Sequence, residues 1–174
     1  MSDRFAHRLR LDQVHDGERV ELNADESERA SIAERLGLDS LDCFQAHATL
    51  TKKGPLIEAD GRISASLNQS CVVTGEPVPA HVDEAFSLVF MPEPTGARSE
   101  EEVELGSADC DMVFYDGAII DLGSAIADTL ALSLDPYPRS AGAEAALKEA
   151  GILTEAEAGP FAALAQLKRG SDPS

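Results

Sequence analysis

The sequence predicts an α+β fold: a single domain built on a mainly antiparallel β-sheet, with flanking helices and a helical C-terminal tail. Three observations lead there. Ile63, Ala65, Leu67, Gln69, Cys71 and Val73 fall on one face at period two, opposite Arg62, Ser64, Ser66, Asn68 and Ser70. Val82, Phe86, Leu88 and Phe90 alternate with His81, Asp83 and Ser87. Alternation of this kind marks strands with one face in the core and one in water. Between the two runs, Thr74-Gly75-Glu76-Pro77 supplies turn chemistry, a glycine for positive φ and a proline with fixed φ and no donor. The third observation is a helix start at Asp25-Glu26-Ser27-Glu28, with Asp25 as N-cap and Glu28 at the capping-box position.

In chain order, residues 5–11 alternate Phe5, His7, Leu9 and Leu11 against Ala6, Arg8 and Arg10, which predicts a first strand. Arg19-Val20-Glu21-Leu22 follows Asp16-Gly17 and is placed beside it as a hairpin. The helix that begins at Asp25 buries Ile32, Ala33 and Leu36, and Gly37 closes it in a left-handed conformation. Strands follow at 41–50, 56–73 and 80–90, the first two broken by Lys52-Lys53-Gly54-Pro55. Met91-Pro92-Glu93-Pro94 stops the sheet, and Glu100, Glu101, Glu102, Glu104, Asp109 and Asp111 then mark an acidic loop. Residues 112–115 and 119–120 read as a short hairpin about Asp116-Gly117. Asp121 caps a helix whose Leu122, Ile126 and Leu130 share one stripe, and Pro136 and Pro138 are expected to end it. Residues 143–150 predict a short helix closed by Gly151. Phe161, Leu164 and Leu167 form a last stripe followed by Lys168 and Arg169; a helix this short needs something to pack on, either the protein's own core or a partner. The expected organisation is an α+β core domain at 1–140, with an acidic loop near 92–111, and a helical, partly mobile C-terminal tail at 141–174.

Composition narrows the function classes. The 174 residues are 43% apolar, enough for a core. Fourteen basic against 32 acidic residues give a net charge of −18, a field that repels nucleic-acid backbones and attracts basic proteins. The three cysteines, Cys43, Cys71 and Cys110, make no disulfide framework and suit a reducing cytoplasm. No stretch approaches the roughly 20 apolar residues of a membrane span, so a cytoplasmic protein without a membrane partner is expected. There is no phosphate loop, no dinucleotide glycine pattern and no nucleophile elbow. His7, His15, His47 and His81 have no ligand or triad context, and Cys43 reads as a small buried thiol. Nothing in the residues supports an enzyme.

Cys71-Val72-Val73-Thr74-Gly75-Glu76-Pro77 resembles the Cys-x-x-Cys-Gly-x-Pro turn of the DUF177/YceD family, which is associated with large-subunit ribosomal RNA accumulation. Two more stretches fit that family in order and spacing. Ile120-Asp121-Leu122 opens a helix that runs into Leu132-Ser133-Leu134-Asp135-Pro136, and GPFAALAQLKRG fills 159–170. The positions carrying the resemblance are Cys71, Gly75, Pro77, Asp121 and Leu122. At Asp121 a helix cap alone explains the residue. Thr74 stands where the family has its second cysteine. A Cys-x-x-Cys turn can supply half of a zinc site, so that half-site is lost here and neither metal nor cofactor is expected. Cys71 then reads as a packing thiol on the apolar face.

The resemblance implies a non-catalytic factor in large ribosomal subunit biogenesis that supports 23S rRNA accumulation or processing. Charge shapes how it would act: by binding a basic ribosomal protein or a large-subunit precursor particle, with direct rRNA contact left open and a monomer expected. Phe161, Leu164, Leu167, Lys168 and Arg169 are the candidate partner-binding residues. Two other classes stand beside this reading, a small enzyme using Cys71 or a carboxylate in a sheet-edge pocket, and a general acidic chaperone-like binder.

Overall fold

Long strands dominate the chain. The computed structural model describes residues 7–93 and 111–152. The chain divides into two compact units, Met1–Gln69 with Pro79–Pro136, and Ser70–Val78 with Tyr137–Ser174. The architecture is α+β with a mostly antiparallel sheet.

In the first unit, β1 (Arg8–Arg10) is followed by β2 (Glu18–Asn23), α1 (Glu26–Leu36), β3 (Ser40–Lys53), β4 (Leu56–Ser70) and β5 (Pro77–Pro92), whose first residues and whose turn lie in the second unit. After the acidic segment come β6 (Asp111–Tyr115), β7 (Ile119–Asp121) and α2 (Leu122–Leu132). One sheet has the order β2-β3-β4-β5-β6, and β1 pairs with β7 in a second, small sheet. Period-two burial along β4 leaves Ile57, Ala59 and Ile63 with no exposure and Ala65 and Leu67 nearly none. Leu50, Ile57, Ile63, Leu122, Ile126 and Leu130 are among the fully buried side chains of a core that also takes Phe44 and Phe90.

Local chemistry sets the elements. Asp25 and Glu28 close a reciprocal capping box at the start of α1, with Glu28 N–H donating to Asp25 Oδ1 at 2.8 Å and Asp25 N–H donating to Glu28 Oε2 at 2.9 Å. Gly37 ends the helix at φ 66°, and Ile32 and Ala33 are its buried residues. The β3–β4 hairpin turns on Gly54-Pro55, so Lys53 pairs with Leu56 and the predicted break is a tight reversal. Gly61 is needed within β4 for space. A Cβ there would meet the His47 carbonyl and lie 2.8 Å from Phe86 Cζ, so the Phe86 ring packs where a side chain would be.

Three expectations are corrected. β2 pairs with β3, not with β1. Asp16-Gly17 is turned towards β3, with Gly17 N–H donating to Leu50 C=O at 2.8 Å and Lys52 N–H to Asp16 Oδ1 at 3.1 Å. Residues 112–115 and 119–120 are not a hairpin. Asp116-Gly117 instead lets the chain leave one sheet for the other: β6 lies parallel to β5 and β7 antiparallel to β1. Tyr115 OH donates to Pro55 C=O at 2.6 Å, a long-range bond that no local turn signal reveals. Cys43 is half-buried, because a register shift between Leu41 and Cys43 interrupts the alternation. The predicted helix at 143–150 is α3 (Ala143–Glu149), with Ala150 as its C-cap.

Candidate functional site

The turn between β4 and β5 is built around one sulfur. β4 stops at Ser70, so Cys71 is the first residue of the turn and not the end of a strand. Cys71 N–H donates to Glu76 C=O at 2.8 Å, and Gly75 N–H donates to Cys71 C=O at 2.9 Å. Gly75 sits at φ 73°, a conformation that glycine adopts without steric cost. Pro77 opens β5, where a strand loses least by lacking a donor. The turn places Thr74 N–H 3.4 Å from Cys71 Sγ, and Ser140 N–H reaches the same sulfur at 3.2 Å. Val72 N–H also donates to Pro138 C=O at 2.9 Å, which ties the turn to the segment after the last helix of the first unit.

A polar cluster surrounds the sulfur. The Ser140 hydroxyl donates to Glu76 Oε2 at 2.8 Å and the Thr74 hydroxyl to the same oxygen at 3.1 Å, while the two hydroxyl oxygens lie 3.1 Å apart. Glu76 N–H in turn donates to Thr74 Oγ1 at 3.3 Å. Cys71 is 4% exposed. Burial of the thiol opposes ionisation, but the Ser140 and Thr74 groups aimed at it prevail and bring it from 9.0 down to about 6. Thus two N–H groups hold the position in which a metal-binding knuckle would carry a thiolate, and hydroxyls and one carboxylate occupy its surroundings. Among the described residues no group of three or more His, Cys, Asp or Glu side chains is arranged to hold a metal ion.

The other motif positions lie at the start of α2. Asp121 Oδ1 accepts from Ser124 N–H at 2.9 Å, capping the helix, and Arg8 Nε stands 3.5 Å from Asp121 Oδ2. Leu122 is fully buried, and its N–H donates to His7 C=O at 3.0 Å. A shallow cleft of about 430 Å³ runs between α1 and α2, lined by Ser31, Ile32, Glu34, Arg35, Asp121, Ser124 and Ala127. Arg35 closes one side of it through an ion pair with Asp128 at 3.3 Å. Cleft and cap are explained by helix packing and helix ends.

The family model for the large ribosomal RNA subunit accumulation protein YceD matches residues 59–168. The chain belongs to the YceD family. The match takes in the Cys71 turn, the Asp121 cap and most of the tail. Its description ties the family to accumulation of the large-subunit ribosomal RNA. Comparison with curated proteins and with solved structures returns no match.

Of the residues singled out from the sequence, Cys71, Gly75 and Pro77 share one turn, and Asp121 and Leu122 share one helix start. Phe161, Leu164, Leu167, Lys168 and Arg169 lie outside the described residues, as do Cys110 and all but the ends of the acidic segment near 92–111. Sequence reasoning missed Ser140 and Glu76. Ser140 is 69 positions from Cys71, and no spacing rule links a serine after two prolines to a distant thiol. Glu76 was legible only as a turn residue. No helix among the described residues is long and apolar enough to cross a membrane.

Proposed function

We propose that this YceD-family chain is a non-catalytic binding factor of large-subunit production in the cytoplasm, and that it engages a basic ribosomal protein or a precursor particle that contains one. The family match carries the ribosomal part of this reading, and the net charge of −18 carries the choice of partner. A surface with this excess of carboxylates is repelled by phosphate backbones and attracted to the cationic proteins that fold with them. The enzyme reading is the weaker one: the lowered Cys71 thiol is closed to solvent, and its neighbours serve as hydrogen-bond donors to it rather than as a proton acceptor.

The tail residues Phe161, Leu164, Leu167, Lys168 and Arg169 supply apolar anchors at helical spacing with a positive end, the pattern of a short helix laid in a partner's groove. Removing residues 159–174 tests this. The truncated protein should keep a melting temperature close to that of the full chain and lose co-sedimentation with large-subunit precursors. A fall of several degrees would place the stripe in the protein's own core. Undiminished association by the truncated protein would remove the tail from the docking surface. A full-length protein that captures neither basic ribosomal proteins nor precursor particles would end the reading.

A further inference from the structure

The five-stranded sheet ends on two strands of different character. At one side, β2 carries Glu18, Arg19 and Glu21, with Glu21 turned to solvent. At the other, β6 has a single charge, Asp111, at its start, while Met112 is 52% and Phe114 55% exposed. An edge strand offers unpaired N–H and C=O groups as a template for another strand, and charges on the edge suppress this. β2 is protected in that way and β6 is not.

The main chain of β6 is also set for pairing. It lies parallel to β5, with Tyr115 opposite Pro92. In a parallel ladder, the N–H and C=O of one residue face the neighbouring strand and those of the next face away. Glu93 N–H donates to Tyr115 C=O at 3.0 Å, which fixes the parity. Asp111, Val113 and Tyr115 therefore turn their backbone groups towards β5. Those of Met112 and Phe114 turn outward, where no further strand lies among the described residues. Side-chain burial agrees: Val113 and Tyr115 pack towards the core, and Met112 and Phe114 stand on the opposite face.

We propose that the outer edge of β6 takes an extended, cationic segment of a partner protein as an added strand, with Met112 and Phe114 holding its apolar side chains. The basic nature of the partner rests on the function proposed above, and the charge around the edge agrees with it. Asp111 opens the strand, Asp116 follows it and Glu93 lies beside its end. None of these three is in an ion pair among the described residues. A second copy of the protein is a poor occupant, because it would bring its own −18 and set acidic strand ends against each other. A nucleic acid has no strand to add. Main-chain bonds would give such a complex its affinity, and alternate side chains its selectivity.

The test uses the full chain and two fluorescent peptides, one alternating valine with lysine and the other valine with glutamate, read by anisotropy at low ionic strength. The lysine peptide should bind and the glutamate peptide should not. Phe114→Pro removes one outward N–H without removing a bond to β5, since proline is tolerated at such an edge position. It should weaken the lysine peptide by about tenfold or more, the worth of about one hydrogen bond together with the lost Phe114 contact, with a nearly unchanged melting temperature. The charge-neutral pair Met112→Ser with Phe114→Ser gives a second route to the same loss, and Glu21→Lys on β2 should leave binding within about twofold, as expected for an exposed charge remote from the bound strand. Equal binding of both peptides, no binding by the wild type, or full binding by both β6 variants would overturn the proposal. So would a dimer in sedimentation that the β6 variants dissolve, which would give the edge to a second copy. Failure of the ribosomal reading looks different: peptide binding through β6 would persist in a protein that never meets large-subunit particles. Conversely, particle association kept by the double serine variant would leave that reading intact and remove β6 from it.

Discussion

In the β3–β4 ladder, Leu50, Ile57, Ala59 and Ile63 lose all contact with water, and Phe44 keeps 1% exposure. Among the described residues of the second unit, the buried ones are Cys71, Pro138 and Ala143. What organises that unit is a set of directional bonds: two N–H groups on Cys71 Sγ, two hydroxyls on one Glu76 oxygen, and Val72 N–H on Pro138 C=O. Apolar burial is non-directional and scales with area, so the ladder gains from every residue of the right size. The turn gains only if each donor is aimed at its acceptor, and the bonds that matter most are the two on Cys71 Sγ, since that sulfur is buried while Thr74 and Glu76 stay in contact with water. The two regions should therefore fail differently when disturbed.

The largest effect is expected in the ladder. Phe44→Ala should lower unfolding free energy by about 3–5 kcal/mol in urea titrations, through lost burial and a cavity that the surrounding strands cannot close. Its size should be the same at neutral and mildly alkaline pH, since the Phe44 side chain itself does not titrate. A loss below about 1 kcal/mol would mean that the ladder is less tightly packed than its burial implies.

Cys71→Ala should cost less, and its cost should depend on pH. The thiol is lowered to about 6 in the folded protein from an ordinary 9.0. A depressed folded value stabilises the native state fully above the unfolded value, and this contribution is lost as pH falls through the folded value. The stability gap between wild type and Cys71→Ala should thus be widest near pH 9, narrow as the pH is lowered, and reach a floor below about pH 6. Cys71→Ser keeps an acceptor for the two N–H groups but does not titrate in this range, so its gap from Cys71→Ala should stay flat. A wild-type gap that is also flat would show that the sulfur accepts those bonds as a neutral thiol and acts as a packing group alone.

The same contrast decides what was legible in the sequence. Period-two alternation around Ile63, Ala65 and Leu67 reports burial directly, so the ladder could be read residue by residue. The α1 cap was legible for a similar reason: Asp25, Glu28 and Gly37 act within their own helix. Partners separated along the chain were not. β2 was placed beside β1 because Asp16-Gly17 is a hairpin signal, yet its real partner is β3, which buries Val20 and Leu22 along a longer ladder. Asp116-Gly117 misled in the same way, since a two-residue turn fixes a reversal but not the sheet that each arm joins. At the candidate site, the turn of Cys71, Gly75 and Pro77 was visible as turn chemistry. Its closure by Ser140 was not, because a serine N–H carries no sequence signature.

The smallest effect expected is none. Thr74 occupies the place where a second thiolate would complete half of a zinc site, and its hydroxyl is committed to Glu76. Cys71 Sγ already receives two N–H donors, and the Ser140 hydroxyl is bound to Glu76 as well. A zinc ion at this turn would find a single sulfur, and the nearby carboxylate of Glu76 is already taken by two hydroxyls, whereas structural zinc sites hold four ligands, mostly Cys and His. Purified protein should carry far less than one zinc per chain, and a chelator should leave its melting temperature unchanged, in contrast to small domains whose folding depends on metal. Stoichiometric zinc that survives dialysis, or a chelator-induced fall in melting temperature, would overturn this. Either result would also recast the comparison, making the second unit a metal-held knuckle in which Thr74 is only a substitute position and the hydrogen bonds around Glu76 belong to the metal-free form.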